Sequence, residues 1–298
     1  MKKLLALPLI CFFTLLSCNS EPQTFDELTS SIEEFLENEE GTYGIAFKDL
    51  NNPDNEFYMN ADTLFHAAST MKTPVMIEIF KKAEAGHFSM SDSVLIENEF
   101  KSIVDSSSFQ LPLDPEGDDP YEAQVGENAT IYDLTHAMIT YSSNLATNLM
   151  IQLADAEETT QTMRELGAKN IEVLRGVEDL KAFDQGLSNR TTPRDLEIIL
   201  RALADGKAVS QKSDSTMIEI MKDQFYRDII PFHLPKDLEI ANKTGFITGV
   251  RHDSAIVYLP DGRSYVLIFL TKELPDENRG QENGATISEM IYDFYVAN

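Results

Sequence analysis

One segment decides the fold: residues 65–72 read FHAASTMK, and a helix-forming run follows as far as Gly86. Ser69 and Lys72 are three residues apart, so at the start of a helix they lie on one face. A serine hydroxyl is a poor nucleophile unless a base takes its proton. A lysine can be that base where burial and nearby positive charge lower its pKa. The segment predicts a helix over 69–85 with a nucleophile in its first turn, although such a pattern alone is more often a surface helix start.

A second polar cluster, Ser142-Ser143-Asn144, lies between predicted helices over 130–139 and 144–153. At such a corner Ser142 and Asn144 can both point into a cleft. Ser142 could then pass a proton to a leaving nitrogen, and Asn144 could hold a lysine and a substrate amide. Taken alone, the cluster is more typical of a helix cap, since Ser and Asn favour that position.

A third cluster, Lys243-Thr244-Gly245, lies on a predicted strand. A strand-borne Lys and Thr that face a cleft would hold a substrate carboxylate. Gly245 would let a substrate lie close to the backbone. The N–H of Phe246 could be one donor of an oxyanion hole. The free N–H groups at the start of the helix that carries Ser69 could supply the other. Alone, this cluster is an ordinary polar strand end.

The pattern outward from these clusters predicts an α+β fold. A helix over 25–36 and a hairpin of strands over 42–50 and 56–65 come first, helices fill the middle, and strands and a helix close the chain. The closing elements are predicted over 238–243, 253–259, 264–272 and 287–295. The expected assembly is a five-stranded antiparallel sheet flanked by N- and C-terminal helices, with an inserted all-helical lobe. The α/β lobe would cover 24–66 and 237–298, the all-α lobe 67–236, and a cleft would lie between them.

The three clusters occur in the order found in class A β-lactamases and penicillin-binding proteins. The chain resembles class A β-lactamases from Phe25 to its end. The resemblance is strongest in the nucleophile segment, the second-motif helix, the end of the omega loop and the turn between the last strands, at residues 65–72, 141–153, 191–195 and 259–262. It implies a serine hydrolase that opens β-lactam rings through an acyl-enzyme on Ser69, without a metal or organic cofactor. Lys72 or an omega-loop acid would take the proton of Ser69, and Ser142 would protonate the ring nitrogen.

Two smaller features are interpreted through the same resemblance. Ser143 stands where the second motif of the family usually has Asp, but the outer two positions of that motif do the chemistry. An arginine near the strand after the third motif often helps to hold the substrate carboxylate in this family. Arg251 is the candidate here, without a certain alignment, and His252 next to it is expected to be a hydrogen-bonded strand residue.

The omega loop is the serious departure from the family pattern. The deacylating glutamate of the family lies in a Glu-x-x-Leu-Asn segment, whereas residues 175–181 read RGVEDLK. If the Arg and Leu of this segment fix the register, Val177 takes the place of the glutamate. A slip of one residue would bring in Glu178 instead, and Asp179 is a further candidate. Both acids could equally be structural residues of the loop.

Three functions therefore remain open from the sequence. The first is β-lactam hydrolysis. The second is a cell-wall D-Ala peptidase, or an esterase or amidase of the same superfamily, with slow or no β-lactam turnover. The third is a non-catalytic penicillin-binding lipoprotein. The partner expected in each case is a small molecule, either a β-lactam or a peptidoglycan-like peptide, and the protein is expected to be a monomer.

The first 18 residues are predicted to be a lipoprotein signal peptide, and residues 19–298 the catalytic domain. Lys2 and Lys3 precede an apolar run that ends in Leu-Leu-Ser-Cys, which predicts export, cleavage before Cys18 and a lipid anchor on that residue. A plain signal peptide is the alternative. Without the signal, 22 basic and 50 acidic residues leave a net charge of −28, which disfavours nucleic acid as a partner and leaves the lipid as the only contact with the membrane. The only other cysteine, Cys11, lies in the signal, so cysteine catalysis is excluded.

Overall fold

The computed structural model describes residues 23–298. The predicted signal over 1–18 and its lipidation site, Cys18, lie outside the described residues. None of the helices within 23–298 has the length and apolar character needed to cross a bilayer.

Five strands form one antiparallel sheet, as the sequence predicts. In chain order they are β1 (Thr42–Asp49), β2 (Glu56–Met59), β3 (Glu239–Ile247), β4 (Val250–Tyr258) and β5 (Ser264–Lys272). Their spatial order is β2-β1-β5-β4-β3, so strands from both ends of the chain meet where β1 pairs with β5. β3 is an edge strand, and its register with β4 places Gly245 opposite His252 and Lys243 opposite Ser254.

The helices cover both faces of this sheet. They are α1 (Phe25–Leu36), α2 (Lys72–Glu84), α3 (Ile131–Thr140), α4 (Asn144–Ala154), α5 (Ala156–Leu166), α6 (Leu180–Asp184), α7 (Pro193–Ala204), α8 (Gln211–Lys222) and α9 (Glu277–Ala297). α1 begins at a capping box in which Thr24 and Glu27 satisfy each other's backbone N–H groups. α1 and α9 pack together on one face of the sheet. α2 to α8 come between β2 and β3 in the chain and form the helical lobe.

The alternation of side chains along the strands divides the apolar core into two layers. Ile45 and Phe47 of β1 pack with the layer beneath α1 and α9, and Ala46 between them packs with the helical lobe. α2 runs through the helical layer and is buried from Lys72 to Phe80. This burial on all sides fixes the direction of α2, and with it the position of the residues at its start.

The structure corrects several predicted boundaries. The strand predicted over 56–65 ends at Met59, because Asn60 has φ of 48° and turns the chain. The final helix begins at Glu277 instead of near residue 287. Gly280 and Gly284 hide its first turns from the sequence pattern, since glycine is a poor helix former. Close packing explains the glycine at position 284, because a Cβ there would lie 2.5 Å from Ile229 and 2.8 Å from the ring of Phe269. Two helices, α6 and α8, were not predicted.

Candidate active site

Ser69 lies in a tight turn that leads directly into α2. The turn is a 3₁₀-helix over Ala68–Met71, and the backbone N–H of Lys72 donates to the carbonyl of Ser69. Strand β3 passes against this turn, because a Cβ added to Gly245 would lie 3.0 Å from the backbone nitrogen of Ser69 and 3.2 Å from that of Thr70. A side chain at position 245 would therefore crowd the turn, and glycine allows the close approach. It brings the backbone after Gly245, at Phe246, beside the first N–H groups of the helix.

Lys72, Ser142, Asn144 and Lys243 form one hydrogen-bonded network. The Nζ of Lys72 lies 2.6 Å from the carbonyl oxygen of Ser142, 3.1 Å from its Oγ and 3.0 Å from Oδ1 of Asn144. The Nζ of Lys243 lies 3.1 Å from the same Oγ of Ser142 and donates to the carbonyl of Thr244 at 2.9 Å. The hydroxyl of Ser142 therefore bridges two lysines that are 171 positions apart in the chain (243 − 72).

Both lysines are fully buried, and this controls their charge. Burial, and then the positive charge of Lys243, lowers the pKa of Lys72 well below its usual value, although Asp119 and Glu178 act in the opposite direction. Burial lowers the pKa of Lys243 to about 7, against the opposing charge of Asp253. Desolvation disfavours an ammonium ion, so a neutral amine is accessible here near neutral pH.

The corner between α3 and α4 holds Ser142 in an unusual backbone conformation. Ser142 has φ of 55°, which side-chain-bearing residues seldom adopt. Ser143 follows it as the N-cap of α4, with its Oγ accepting from the backbone N–H of Ala146 at 2.9 Å. The middle residue of the motif thus caps the helix, while its neighbours Ser142 and Asn144 reach the lysines.

Thr244 of β3 and His252 of β4 have contrasting surroundings. The hydroxyl of Thr244 is buried and has no hydrogen-bond partner within the part of the chain that the structure describes. His252 is fully satisfied: its Nδ1 accepts from the N–H of Thr271 at 3.1 Å, and its Nε2 lies 2.9 Å from the carbonyl of His66. Nε2 therefore carries the proton, and burial lowers the pKa of His252 to about 4. His252 is a neutral hydrogen-bonded strand residue.

The omega loop is held by Asn148 of α4. The side-chain amide of Asn148 donates to the carbonyl of Val177 at 3.0 Å, and its Oδ1 accepts from the N–H of Val177 at 2.7 Å. Gly176 allows this contact, because a Cβ there would collide with the same Oδ1. Asn148 is almost completely buried, so the two hydrogen bonds fix the depth of the loop at Val177.

The two candidate acids of the loop have different environments. Asp179 is buried and accepts from Ser102 Oγ and from the N–H of Ile103, each at 2.9 Å, and it also caps α6. Its carboxylate is thus occupied by structural contacts. Glu178 has φ of 62° and is exposed.

A cavity of about 370 Å³ lies between the omega loop, the start of α2 and β3. Ser69 and Asn144 line it from the catalytic side, and Glu178 lines it from the loop. The remaining lining residues are His66, Ala68, Arg175, Val177, Asp179, Leu180, Phe183, Asn189, Phe246, Ile247 and Thr248. The structure therefore places Ser69 and Glu178 around one space large enough for a small molecule.

Arg251 does not line this cavity. Its guanidinium forms a salt bridge with Glu277 and donates to the carbonyl of Val250 at 2.8 Å. It also lies 5.6 Å from the ring centre of Phe246. A substrate carboxylate at Arg251 would therefore compete with the carboxylate of Glu277 for the guanidinium.

Sequence reasoning missed Asn148 and Gln224. Gln224 is buried, and its side-chain amide donates to the carbonyl of Ile139 at 2.9 Å and to that of Asn242 at 3.2 Å. It ties the end of α3 to the strand that carries Lys243. Nothing in the residue pattern identifies a lone Gln or Asn with such a role, because the partners are backbone atoms of distant elements.

The described residues offer no group of three or more His, Cys, Asp or Glu side chains suited to a metal ion. The site combines a hydroxyl in the turn at a helix start, the backbone N–H groups of that turn, and two buried amines joined by a second hydroxyl. Such a set is suited to acyl transfer through a covalent serine intermediate.

Comparisons with known proteins agree with this chemistry. Beta-lactamase VEB-1 of Pseudomonas aeruginosa is 21% identical over 99% of this chain and 98% of its own length, and a beta-lactamase of Bacillus licheniformis is 32% identical over 50% of each. The solved structure of PBP-A is 25% identical, with a TM-score of 0.79 over 93% of this chain and 98% of that chain. A beta-lactamase from Chitinophaga pinensis, 20% identical with a TM-score of 0.77 over 91% of this chain and 99% of that chain, shows the same fold. The family model of the beta-lactamase enzyme family matches residues 27–295, and the chain therefore belongs to that family.

Proposed function

We propose that this protein hydrolyses β-lactams through an acyl-enzyme on Ser69. The observation that carries the proposal is the network in which Ser142 Oγ lies 3.1 Å from the Nζ of both Lys72 and Lys243, with Lys72 three residues after Ser69 at the start of α2. It supplies a base for the nucleophile and a proton donor for the leaving nitrogen.

The contacts of Lys72 define the path of the proton. A neutral lysine amine has two N–H donors and one lone pair. The carbonyl of Ser142 and Oδ1 of Asn144 can only accept, so they take the two N–H groups. The lone pair of Lys72 is then left to accept the proton of Ser69. The hydroxyl of Ser142, which accepts from Lys243, keeps its own hydrogen for the leaving nitrogen, and at 3.1 Å from Lys72 it can be reprotonated by that amine.

Acylation follows from this arrangement. Ser69 Oγ attacks the lactam carbonyl and forms an ester as the ring C–N bond breaks. The proton of Ser69 passes to Lys72, and Ser142 delivers a proton to the ring nitrogen and recovers one from Lys72. The charge on the carbonyl oxygen is stabilised by the N–H groups of Ser69 and Phe246. The substrate carboxylate binds to the ammonium of Lys243 and the unpartnered hydroxyl of Thr244.

Release of the acyl group needs a base that activates water. Glu178 is the acid we assign to this step, because it lines the cavity with Ser69, whereas Asp179 is held by structural contacts. A carboxylate must lie within hydrogen-bond reach of the water, directly or through one intermediate.

A second candidate function is favoured by Val177. Asn148 holds the backbone of Val177 by two hydrogen bonds, at the position that the sequence register assigns to the deacylating glutamate. PBP-A, 26% identical, has been solved as a Leu-to-Glu variant in an acyl-enzyme complex with penicillin G. On this alternative the protein is a D-Ala peptidase, or an esterase or amidase, that is acylated by β-lactams and releases them slowly.

The test is turnover of nitrocefin at micromolar enzyme, together with the lifetime of the acyl-enzyme formed with benzylpenicillin. The first function predicts steady turnover, and a longer lifetime in Glu178→Gln. Glu37→Gln, an exposed acid after α1, is the matched control and should not change the lifetime.

An adduct that lasts for many minutes, is unaffected by Glu178→Gln and is shortened by Val177→Glu would support the second function. No turnover, and no labelling by a fluorescent penicillin, would leave only the non-catalytic alternative.

A further inference from the structure

Four aromatic side chains form a continuous row at the edge of the active site. The ring centres of Tyr141 and Phe225 are 5.7 Å apart, those of Phe225 and Tyr226 are 5.2 Å apart, and those of Tyr226 and Phe246 are 5.6 Å apart. The last two contacts are edge-to-face. We call this row, Tyr141, Phe225, Tyr226 and Phe246, the aromatic wall.

The aromatic wall is fixed to the catalytic network by backbone contacts. The N–H of Phe225 donates to the carbonyl of Thr140 at 3.1 Å. The N–H of Tyr226 donates to Oε1 of Gln224 at 3.1 Å, and the amide group of Gln224 donates to the carbonyl of Asn242, next to Lys243. The wall is therefore positioned by the same elements that hold Ser142 and Lys243.

This connection decides which part of a substrate the wall can reach. Ser142 gives its proton to the leaving nitrogen, and Tyr141 directly precedes Ser142 in the chain. The cavity between the omega loop and β3 is lined by Phe246 but by none of the other three wall residues. The wall therefore extends from this cavity, at Phe246, to Ser142, which directly follows Tyr141 and is the residue that protonates the leaving nitrogen in the proposed mechanism.

Two members of the aromatic wall remain exposed within residues 23–298. Phe225 is 54% exposed and Phe246 is 40% exposed, although both are large apolar side chains beside a catalytic centre. Aromatic faces and edges favour a further planar ring or conjugated group. Burying such exposed apolar surface on binding a substrate is favourable.

We propose that the aromatic wall selects substrates that carry a planar, apolar group on the side of the leaving nitrogen. This inference rests on the proposed acylation of Ser69. The wall contacts no reacting atom, so it determines specificity and does not take part in catalysis. In a cephalosporin the group in question is the C3 substituent, which belongs to the ring that contains the leaving nitrogen.

The experiment compares two cephalosporins that share one acyl side chain. One carries a dinitrostyryl group at C3, and the other a methyl group. The second-order rate constant for acylation of Ser69 is measured for the wild type, Phe225→Ala, and Phe232→Ala. Phe232 is a matched control, since it is 55% exposed and lies outside the wall.

We expect Phe225→Ala to lower the rate constant about tenfold for the dinitrostyryl compound and less than twofold for the methyl compound, as for loss of one buried aromatic contact. Phe232→Ala should change neither. Equal effects on both compounds, or no effect on either, would overturn the proposal. If Phe225→Ala does not fold, Phe225→Leu keeps the apolar volume without the planar ring and should give the same selective loss. Failure of wild-type Ser69 to react with either compound would instead refute the proposed function, and the wall proposal with it.

Discussion

Two buried lysines that share one hydroxyl are costly to protonate together. Each ammonium ion loses its hydration, and the two positive charges repel each other across Ser142. The pKa of Lys72 falls well below its usual value, and that of Lys243 falls to about 7. In the mechanism that we propose, the two amines have different roles: Lys72 must be neutral to accept a proton, and Lys243 must be charged to bind a carboxylate.

This division predicts the pH dependence of acylation. Since the pKa of Lys243 is about 7, its positive charge is lost as the pH rises through that value, and acylation by anionic β-lactams should decline there. The Lys243→Arg variant should lose this decline between pH 7 and 9, because arginine stays protonated, although its rate at the optimum should be lower. The measurement is the second-order acylation rate constant from pH 5 to pH 10, which reports on the free enzyme.

Lys222→Arg is the control for this experiment. Lys222 lies on α8 and forms salt bridges with Glu219 and Glu239 on the surface. Its replacement should leave the pH profile as in the wild type. A profile of Lys243→Arg that still declines near pH 7 would show that another group controls the alkaline limb.

At the scale of elements, the sequence predicts the helices and strands that have a clear apolar periodicity and turn residues at their ends. The five-stranded sheet, α1 and the positions of the three motifs follow from periodicity and turn residues, and the structure agrees. α8 was missed because residues 211–216, its first half, are all polar, and its apolar residues are confined to the second half, at Met217, Ile218, Ile220 and Met221. The length of α9 was missed because Gly280 and Gly284 are determined by packing against other elements and not by helix propensity.

The candidate site divides in the same way. The residues at positions 69, 72, 142 and 243 can be identified as candidates from the sequence, because their side-chain types and order are typical of acyl transfer through a serine. The salt bridge of Arg251 with Glu277 and the hold of Asn148 on Val177 depend on contacts between residues 26 and 29 positions apart. No single-residue pattern records such contacts, so the state of the omega loop and of Arg251 requires the structure.

The omega loop offers a prediction at this scale. Asn148→Ala removes both hydrogen bonds to Val177 and leaves its backbone N–H and carbonyl unsatisfied. We expect the free energy of unfolding to fall by about 2 kcal/mol, and the melting temperature by roughly 4–8 °C. Thermal unfolding by circular dichroism measures this. Gln152→Ala, on the exposed face of α4, is the control and should change the melting temperature little. Thr147→Ala is not suitable for this purpose, because the hydroxyl of Thr147 is buried. An unchanged melting temperature in Asn148→Ala would show that the loop is held by other contacts.

At the scale of the whole molecule, export and anchoring through Cys18 remain a proposal that the sequence supports. Cys18→Ser should move the protein from the membrane fraction to the soluble fraction of the bacterium that expresses it, since the lipid would be the main contact of so acidic a protein with the membrane. Fractionation followed by immunoblotting measures the distribution. Cys11→Ser, in the apolar part of the signal, is the matched control and should stay in the membrane fraction. Retention of Cys18→Ser there would contradict the anchor.

The site itself is also a property of the whole molecule. The hydrogen bonds of Lys72 and Lys243 with Ser142 join residues 70 and 101 positions apart, and Ser69 meets β3 at Gly245 only after both ends of the chain have formed the sheet. A reactive Ser69 therefore reports that the helical lobe and the sheet have assembled around one cleft.

The most direct measurement is the intact mass of the protein when it is quenched with acid during the reaction with benzylpenicillin. It is made on the wild type, on Glu178→Gln, in which release should be slower, and on Ser69→Ala. The account predicts that the wild type gains the mass of one whole benzylpenicillin, that peptide mapping places it on Ser69, and that the folded Ser69→Ala variant gains nothing. No gain in either the wild type or Glu178→Gln at any quench time, or an equal gain in Ser69→Ala, would contradict the claim that Ser69 is the nucleophile.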